Sequence, residues 1–99
     1  MDGIRIALER SGGLGGLVAR GDLDTAQLSG AEVERVTDIL RLLEDSAASG
    51  GAPAPIPDVQ RYEFTVTRAG RVRRLVFDDL TLPAEARPLV EQLLRRGAP

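Results

Sequence analysis

Two short stretches of the chain carry residue types that could do chemistry. Residues 9–16 read ERSGGLGG and place four glycines around Leu14, while Asp78 and Asp79 form an adjacent pair of carboxylates. Three interpretations of the glycine-rich stretch are open: a phosphate-binding loop, a slack hairpin turn, or a flexible arm that offers one apolar side chain to another protein. The residues that follow the glycines bear on the first of these.

A phosphate-binding loop is disfavoured by those following residues. A loop of the P-loop type needs a lysine and a serine or threonine after its last glycine, and it leads from a strand directly into a helix. Here Leu17, Val18 and Ala19 follow Gly16. The slack hairpin turn and the interaction arm remain as alternatives.

The residue types also argue against catalysis. The chain contains no histidine and no cysteine, which excludes histidine-activated nucleophiles, thiol chemistry and a three-histidine metal site. An acid/base site built on Asp78 and Asp79 would need a cleft, and the sequence indicates none. A local role is the alternative for this pair, in which one aspartate caps the turn before the last helix or pairs with Arg73 or Arg74. We therefore expect a protein that is not an enzyme and binds no cofactor.

Length and charge point to one soluble domain. With 99 residues and 42% hydrophobic content, the chain can form one core. Its net charge is −2 and all its basic residues are arginine, so it lacks the basic footprint of nonspecific nucleic-acid binding. It has neither a secretory signal nor an apolar stretch approaching about 18 residues. We expect a cytoplasmic protein that binds neither nucleic acid nor membrane.

The elements that would position these stretches begin with a strand. Residues 4–9 alternate, with Ile4, Ile6 and Leu8 on one face, which is typical of a half-buried strand. Residues 17–23 are predicted to return as a second strand, although Gly21 should interrupt it.

A helix follows, with a capping box at its start. Ser29 and Glu32 have the spacing at which each side chain bonds the backbone amide of the other. An apolar stripe then predicts a helix over residues 30–44. The stripe consists of Val33, Val36, Ile39, Leu40 and Leu43. Residues 45–58 are rich in Ser, Ala, Gly and Pro, which predicts a mobile connector.

The register of the next hairpin can be predicted. If Ala69 and Gly70 form the turn, Arg68 pairs with Arg71, and the large apolar residues of both strands share one face. In that register Phe64 lies opposite Leu75, and Tyr62 lies opposite Phe77.

A final amphipathic helix should start near Pro88, because proline cannot lie deep inside a helix. Residues 83–86 then form a separate helical turn. The predicted order is β-β-α-β-β-α, which gives a two-layer α+β domain: a mainly antiparallel sheet of about four strands packed against two helices.

This arrangement resembles the emfourin family over nearly the whole chain. The resemblance is sharpest at residues 10–16 and 77–89, where ERSGGLGG follows the first strand and FDDLTLPAEARPLV follows the hairpin. Leu14 stands where an aromatic residue is more usual in that family. Emfourins are small bacterial inhibitors of thermolysin-like zinc metalloproteases such as protealysin, so the resemblance implies a single emfourin-like domain that blocks a protease.

On this implied function we hypothesise that two exposed loops, one with Leu14 and the other with Asp78 and Asp79, enter the active-site cleft together. This requires the first and fourth strands to run parallel, so that both loops leave the same end of the sheet. Thermolysin-like enzymes hold zinc with two histidines and a glutamate and leave one position open. Asp79 or Asp78 would offer a carboxylate to that zinc, and Leu14 would fill an apolar substrate pocket. The implied protease-binding residues are Ser11, Gly12, Gly13, Leu14, Asp78, Asp79 and Leu80. We expect a monomer when free, and the alternative function is a small noncatalytic interaction or dimerisation domain.

Overall fold

The computed structural model describes residues 3–12, 18–49 and 59–97. Its strands are β1 (Ile4–Gly12), β2 (Ala19–Asp24), β3 (Gln60–Arg68) and β4 (Arg71–Asp78), and its helices are α1 (Gly30–Ser49) and α2 (Arg87–Gly97). Short 3-10 turns cover Thr25–Gln27 and Ala84–Ala86. The predicted order of elements and the separate turn before the last helix are confirmed.

The four strands form one sheet in the order β2-β1-β3-β4, and every neighbouring pair is antiparallel. The predicted α+β class is therefore confirmed. Because β3 runs antiparallel to both β1 and β4, these two strands run parallel to each other. Their C-terminal ends consequently lie at the same end of the sheet, on either side of the start of β3.

The hairpin between β3 and β4 has the predicted register. Phe64 pairs with Leu75, and Tyr62 pairs with Phe77. Ala69 and Gly70 both have positive φ, at 50° and 77°, as a two-residue turn requires when its twist matches that of the strands. Turn geometry and the apolar face therefore specify the same pairing.

The core lies between one face of the sheet and the two helices. Tyr62, Phe64, Leu75 and Phe77 supply its sheet side, and the rings of Phe64 and Phe77 pack edge to face at 6.0 Å between centroids. The buried helix residues that complete it include Val36, Leu40, Leu43, Leu89 and Leu93. The alternation in the strands and the stripe in α1 thus converge on one core.

Gly21 has a role that the sequence did not reveal. We expected Gly21 to interrupt the second strand, but it pairs with Leu8 in the middle of the β1–β2 ladder. A side chain added here would overlap the carbonyl oxygen of Leu93 in α2. The absence of a Cβ therefore allows α2 to pack directly on the backbone of β2.

Helix α1 begins as predicted but ends later. The capping box is formed, since the Glu32 amide donates to Ser29 Oγ and the Ser29 amide donates to Glu32 Oε1, both at 3.3 Å. The prediction that the connector starts at residue 45 is wrong, because the helix continues through Ser49. Alanine favours a helix, and Ala47 packs against the core. Residues 50–58 lie outside the described part of the chain.

Candidate functional site

The end of β1, the start of β3 and the end of β4 lie side by side. They bring Ser11 and Gly12, at the start of the glycine-rich stretch, close to Asp78 and Asp79. Gly12 at the end of β1 pairs with Gln60 at the start of β3, and the Asp79 amide just after β4 donates to the Gln60 carbonyl at 3.2 Å. Gln60 thus stands between the two segments. We call this region the loop edge, defined by Ser11, Gly12, Gln60, Asp78, Asp79 and Leu80.

Gly12 is the last residue of β1. This residue has φ of +91°, a region that favours glycine. A Cβ at Gly12 would lie 3.0 Å from the Val59 carbonyl oxygen, so the two backbones approach closely here. Gly13 and Leu14, the next two predicted site residues, lie outside the described residues.

Asp78 organises the turn after β4. Its Oδ1 accepts hydrogen bonds from the amides of Leu80 (2.8 Å) and Thr81 (2.9 Å), and its own amide donates to Thr81 Oγ1 at 2.9 Å. Asp78 is only 3% exposed. The expectation that both aspartates lie exposed in a loop is therefore wrong for Asp78. The alternative that one aspartate caps the turn before the last helix is confirmed for Asp78. Its other form, pairing with Arg73 or Arg74, is not seen, because those arginines bond Glu44 and Glu63.

Asp79 follows β4 directly and connects the loop edge to the start of β3. Its Oδ2 accepts from the Gln60 amide at 2.8 Å, and its Oδ1 accepts from the Tyr62 hydroxyl at 2.8 Å. Its side chain is half-buried. Each carboxylate oxygen accepts one of these bonds and retains a second lone pair, so Asp79 can still accept a bond from outside the chain.

The surroundings of Asp79 favour its ionised form. The hydrogen bond from the Gln60 amide is the main reason that the pKa of this carboxyl lies below its ordinary value. Burial works in the opposite direction, while the Tyr62 hydroxyl and the guanidinium groups of Arg87 and Arg10 lower the pKa further. Asp79 is therefore a fixed anion at neutral pH.

Tyr62 shares this environment. Burial raises the pKa of its phenol, and the hydrogen bond to Asp79 and the charge of that residue raise it further. The Tyr62 hydroxyl also lies 3.1 Å from Gln60 Oε1. The sequence could have indicated Tyr62 as part of this site, because its hydroxyl lies on an otherwise apolar strand face and needs a polar partner. No pattern in the sequence indicated Gln60, Arg10 or Arg87.

Leu80 is the exposed large apolar residue of the loop edge. Its side chain is 72% exposed, although its backbone amide is held by Asp78. The turn thus projects an apolar side chain from a fixed backbone.

Residues 3–12, 18–49 and 59–97 contain no group of three or more His, Cys, Asp or Glu residues that could hold a metal ion. Within the same ranges, no helix is long and apolar enough to cross a membrane.

The family model of Emfourin matches residues 8–94, which include both segments that meet at the loop edge. The chain belongs to the emfourin family. This is a family of protease inhibitors, so membership indicates a protease-inhibitor domain rather than an enzyme. Neither the curated proteins nor the solved structures gave a significant match.

Proposed function

We propose that this emfourin inhibits a thermolysin-like zinc metalloprotease of the protealysin type by placing its loop edge in the active-site cleft. One observation carries the proposal: the chain leaves β1 and β4 at the same edge of the sheet, on either side of Gln60. Two segments that are far apart in sequence can therefore enter one cleft together.

A carboxylate is the inhibitor group that suits the target's zinc. The chain has no histidine or cysteine, and the open zinc position of such enzymes accepts oxygen ligands. The geometry favours Asp79 over Asp78 for this contact. Asp79 is half-buried and can be reached from outside the chain, whereas Asp78 is buried and its Oδ1 holds two amides of its own turn.

The second contact is an apolar one. Leu14 follows two glycines and precedes two more, which allows close approach of its backbone to the target. In this proposal its side chain fills an apolar substrate pocket. Replacing Leu14 with Gly should then weaken inhibition by about 10- to 150-fold, the equivalent of burying one such side chain.

The first experiment is a titration of proteases with the purified protein while their activity is followed. We expect inhibition of thermolysin-like enzymes and none of a serine protease of the trypsin type, because only the former offer an open zinc position. Equal inhibition of both classes, or of neither, contradicts the proposal. A doubled mass in a sizing experiment, without inhibition, would instead support a dimerisation domain.

The zinc contact is tested with Asp79→Asn. The amide keeps one oxygen for the Gln60 amide but loses the charge, so we expect at least a tenfold loss of inhibition if the carboxylate meets the zinc. The matched control is Asp22→Asn, which makes the same change on the exposed Asp22 of β2. Equal inhibition by both variants would contradict a role for Asp79 at the zinc.

A further inference from the structure

Three large apolar side chains are clearly exposed among the described residues. They are Val18, Val72 and Leu80, with exposed fractions of 53%, 61% and 72%. Isolated exposed apolar residues are normal on a protein surface. Leu80 differs from the other two in its position, because it directly follows Asp79 on the loop edge.

The backbone that carries Leu80 is held from both sides. Asp78 Oδ1 accepts from the amides of Leu80 and Thr81, and the Leu82 amide donates to the Asp78 carbonyl at 2.9 Å. On the other side, Asp79 exchanges two bonds with the backbone of Gln60. The turn is therefore ordered before any partner binds.

An ordered turn makes an exposed side chain more effective in binding. A partner that buries Leu80 gains its apolar contact without having to order the backbone beneath it, and ordering is a major part of the free-energy cost of association. A few residues that fill desolvated pockets supply most of the binding energy of an interface, and an aliphatic side chain in a pocket can be one of them. Leu80 combines the exposure, the order and the position that such an anchor needs.

We propose that Leu80 is the pre-organised apolar anchor of this inhibitor and fills an apolar specificity pocket of the target protease, with Asp78 and Thr81 as positioning residues. This inference rests on the proposed function and deepens it. It assigns to the turn after β4 an apolar contact in addition to the proposed carboxylate contact of Asp79. It also predicts that targets with a pocket for a leucine-sized side chain are preferred.

The anchor is tested by comparing Leu80→Ala with Val72→Ala. Both variants shorten an exposed apolar side chain, but Val72 lies near the turn at the opposite end of β4. We expect Leu80→Ala to raise the inhibition constant by about 10- to 100-fold and Val72→Ala to change it by less than about twofold. Both proteins should melt close to the wild type, since neither side chain is buried.

The positioning role is tested at Thr81. Thr81→Val removes the oxygen that accepts from the Asp78 amide, whereas Thr81→Ser retains it. We expect a loss of about 2- to 10-fold for valine, the usual effect of one hydrogen bond, and rescue by serine. In the Leu80→Ala background the valine change should have no further effect on inhibition, because the side chain that it positions is absent.

The outcomes separate this inference from the proposed function. If the wild type inhibits a thermolysin-like protease and Leu80→Ala inhibits it equally well, Leu80 is not the anchor and the proposed function stands. An equal loss in Leu80→Ala and Val72→Ala also overturns the inference, because it would reflect surface apolarity in general. If the wild type inhibits no thermolysin-like protease, the proposed function fails and this inference fails with it.

Discussion

The two ends of the sheet hold their carboxylates in different ways. At the loop edge, Asp78 and Asp79 accept hydrogen bonds from backbone amides and from the buried Tyr62 hydroxyl. At the opposite end, which we call the hairpin end (residues 68–73 together with Glu44), Glu44 lies 3.0 Å from Arg73 and 3.8 Å from Arg68. Both arginine side chains are about half-exposed there.

This difference indicates where the molecule is rigid. A hydrogen bond to a backbone amide fixes the path of the chain, whereas an ion pair joins only two side chains. Here Glu44 is 17% exposed and its arginine partners are about half-exposed, so water screens the pair and we expect it to contribute about 0 to 1 kcal/mol. The ordered end is the one that carries the proposed protease contacts. Four changes test this comparison, from the largest expected effect to the smallest, and a fifth, Tyr62→Phe, checks the cause of the third.

Phe64→Ala should have the largest effect, because both ends depend on the core between them. Phe64 is completely buried and pairs with Leu75 across the hairpin, so the truncation should lower the free energy of unfolding by about 3 to 5 kcal/mol. Urea unfolding measures this loss, and amide exchange should show both ends becoming less protected together. Loss of protection at one end alone would show that the two ends are not supported by a common core.

Asp78→Ala should destabilise the loop edge strongly. It removes the acceptor for two backbone amides at a buried position, and we expect a loss of about 1 to 3 kcal/mol. The measurement is thermal and urea unfolding, with Asp22→Ala on the exposed face of β2 as the control. If Asp78→Ala melts like the control, the turn does not depend on these bonds and the loop edge is not the more firmly held end.

Asp79→Asn should change how stability depends on pH. The pKa of Asp79 is lower in the folded protein than its ordinary value of 3.8, so the folded state binds fewer protons in this range than the unfolded state. The stabilisation is therefore present above about pH 4 and is lost as the pH falls through the folded pKa. The difference in unfolding free energy between wild type and Asp79→Asn should be steady near pH 7 and shrink below about pH 4.

The hydrogen bond from Tyr62 provides a check on this cause. Tyr62→Phe removes a donor to the Asp79 carboxylate, which should raise the pKa of Asp79 and weaken the pH dependence. If Asp79→Asn leaves the pH dependence of the unfolding free energy unchanged, the role assigned to the hydrogen bonds of Asp79 is wrong.

Glu44→Gln at the hairpin end should have the smallest effect. It removes the charge that pairs with Arg68 and Arg73, and we expect a loss of less than about 1 kcal/mol that shrinks further as salt is added. Urea unfolding at low and high ionic strength measures it. A loss as large as that of Asp78→Ala would contradict the proposed difference between the two ends.

Much of the fold could be predicted because short-range patterns agreed with the tertiary packing. The capping box at Ser29, the stripe through Leu40 and the turn at Gly70 each specify their element from neighbouring residues alone. The end of α1 was predicted too early, since its last turn is stabilised by packing of Ala47 against the core. The second strand was predicted, but the need for glycine at position 21 was not, because Leu93, the helix residue that a side chain there would meet, is far away in sequence.

The candidate site, like the fold, could be predicted from the sequence only in part. The sequence by itself determined the residue types: two adjacent carboxylates, a leucine beside them, no histidine or cysteine, and a glycine-rich stretch after the first strand. It also determined that β3 and β4 pair in one register, because their turn and their apolar face agree. The two-loop hypothesis required the segments after β1 and β4 to leave the same end of the sheet, and the sheet order confirms it. Only the tertiary structure decided that Asp78 serves its own turn and that Asp79 accepts from Gln60 and Tyr62. The physical reason is that hydrogen bonds between strands depend on sheet order, which links residues such as Gly12 and Gln60 that no local pattern connects.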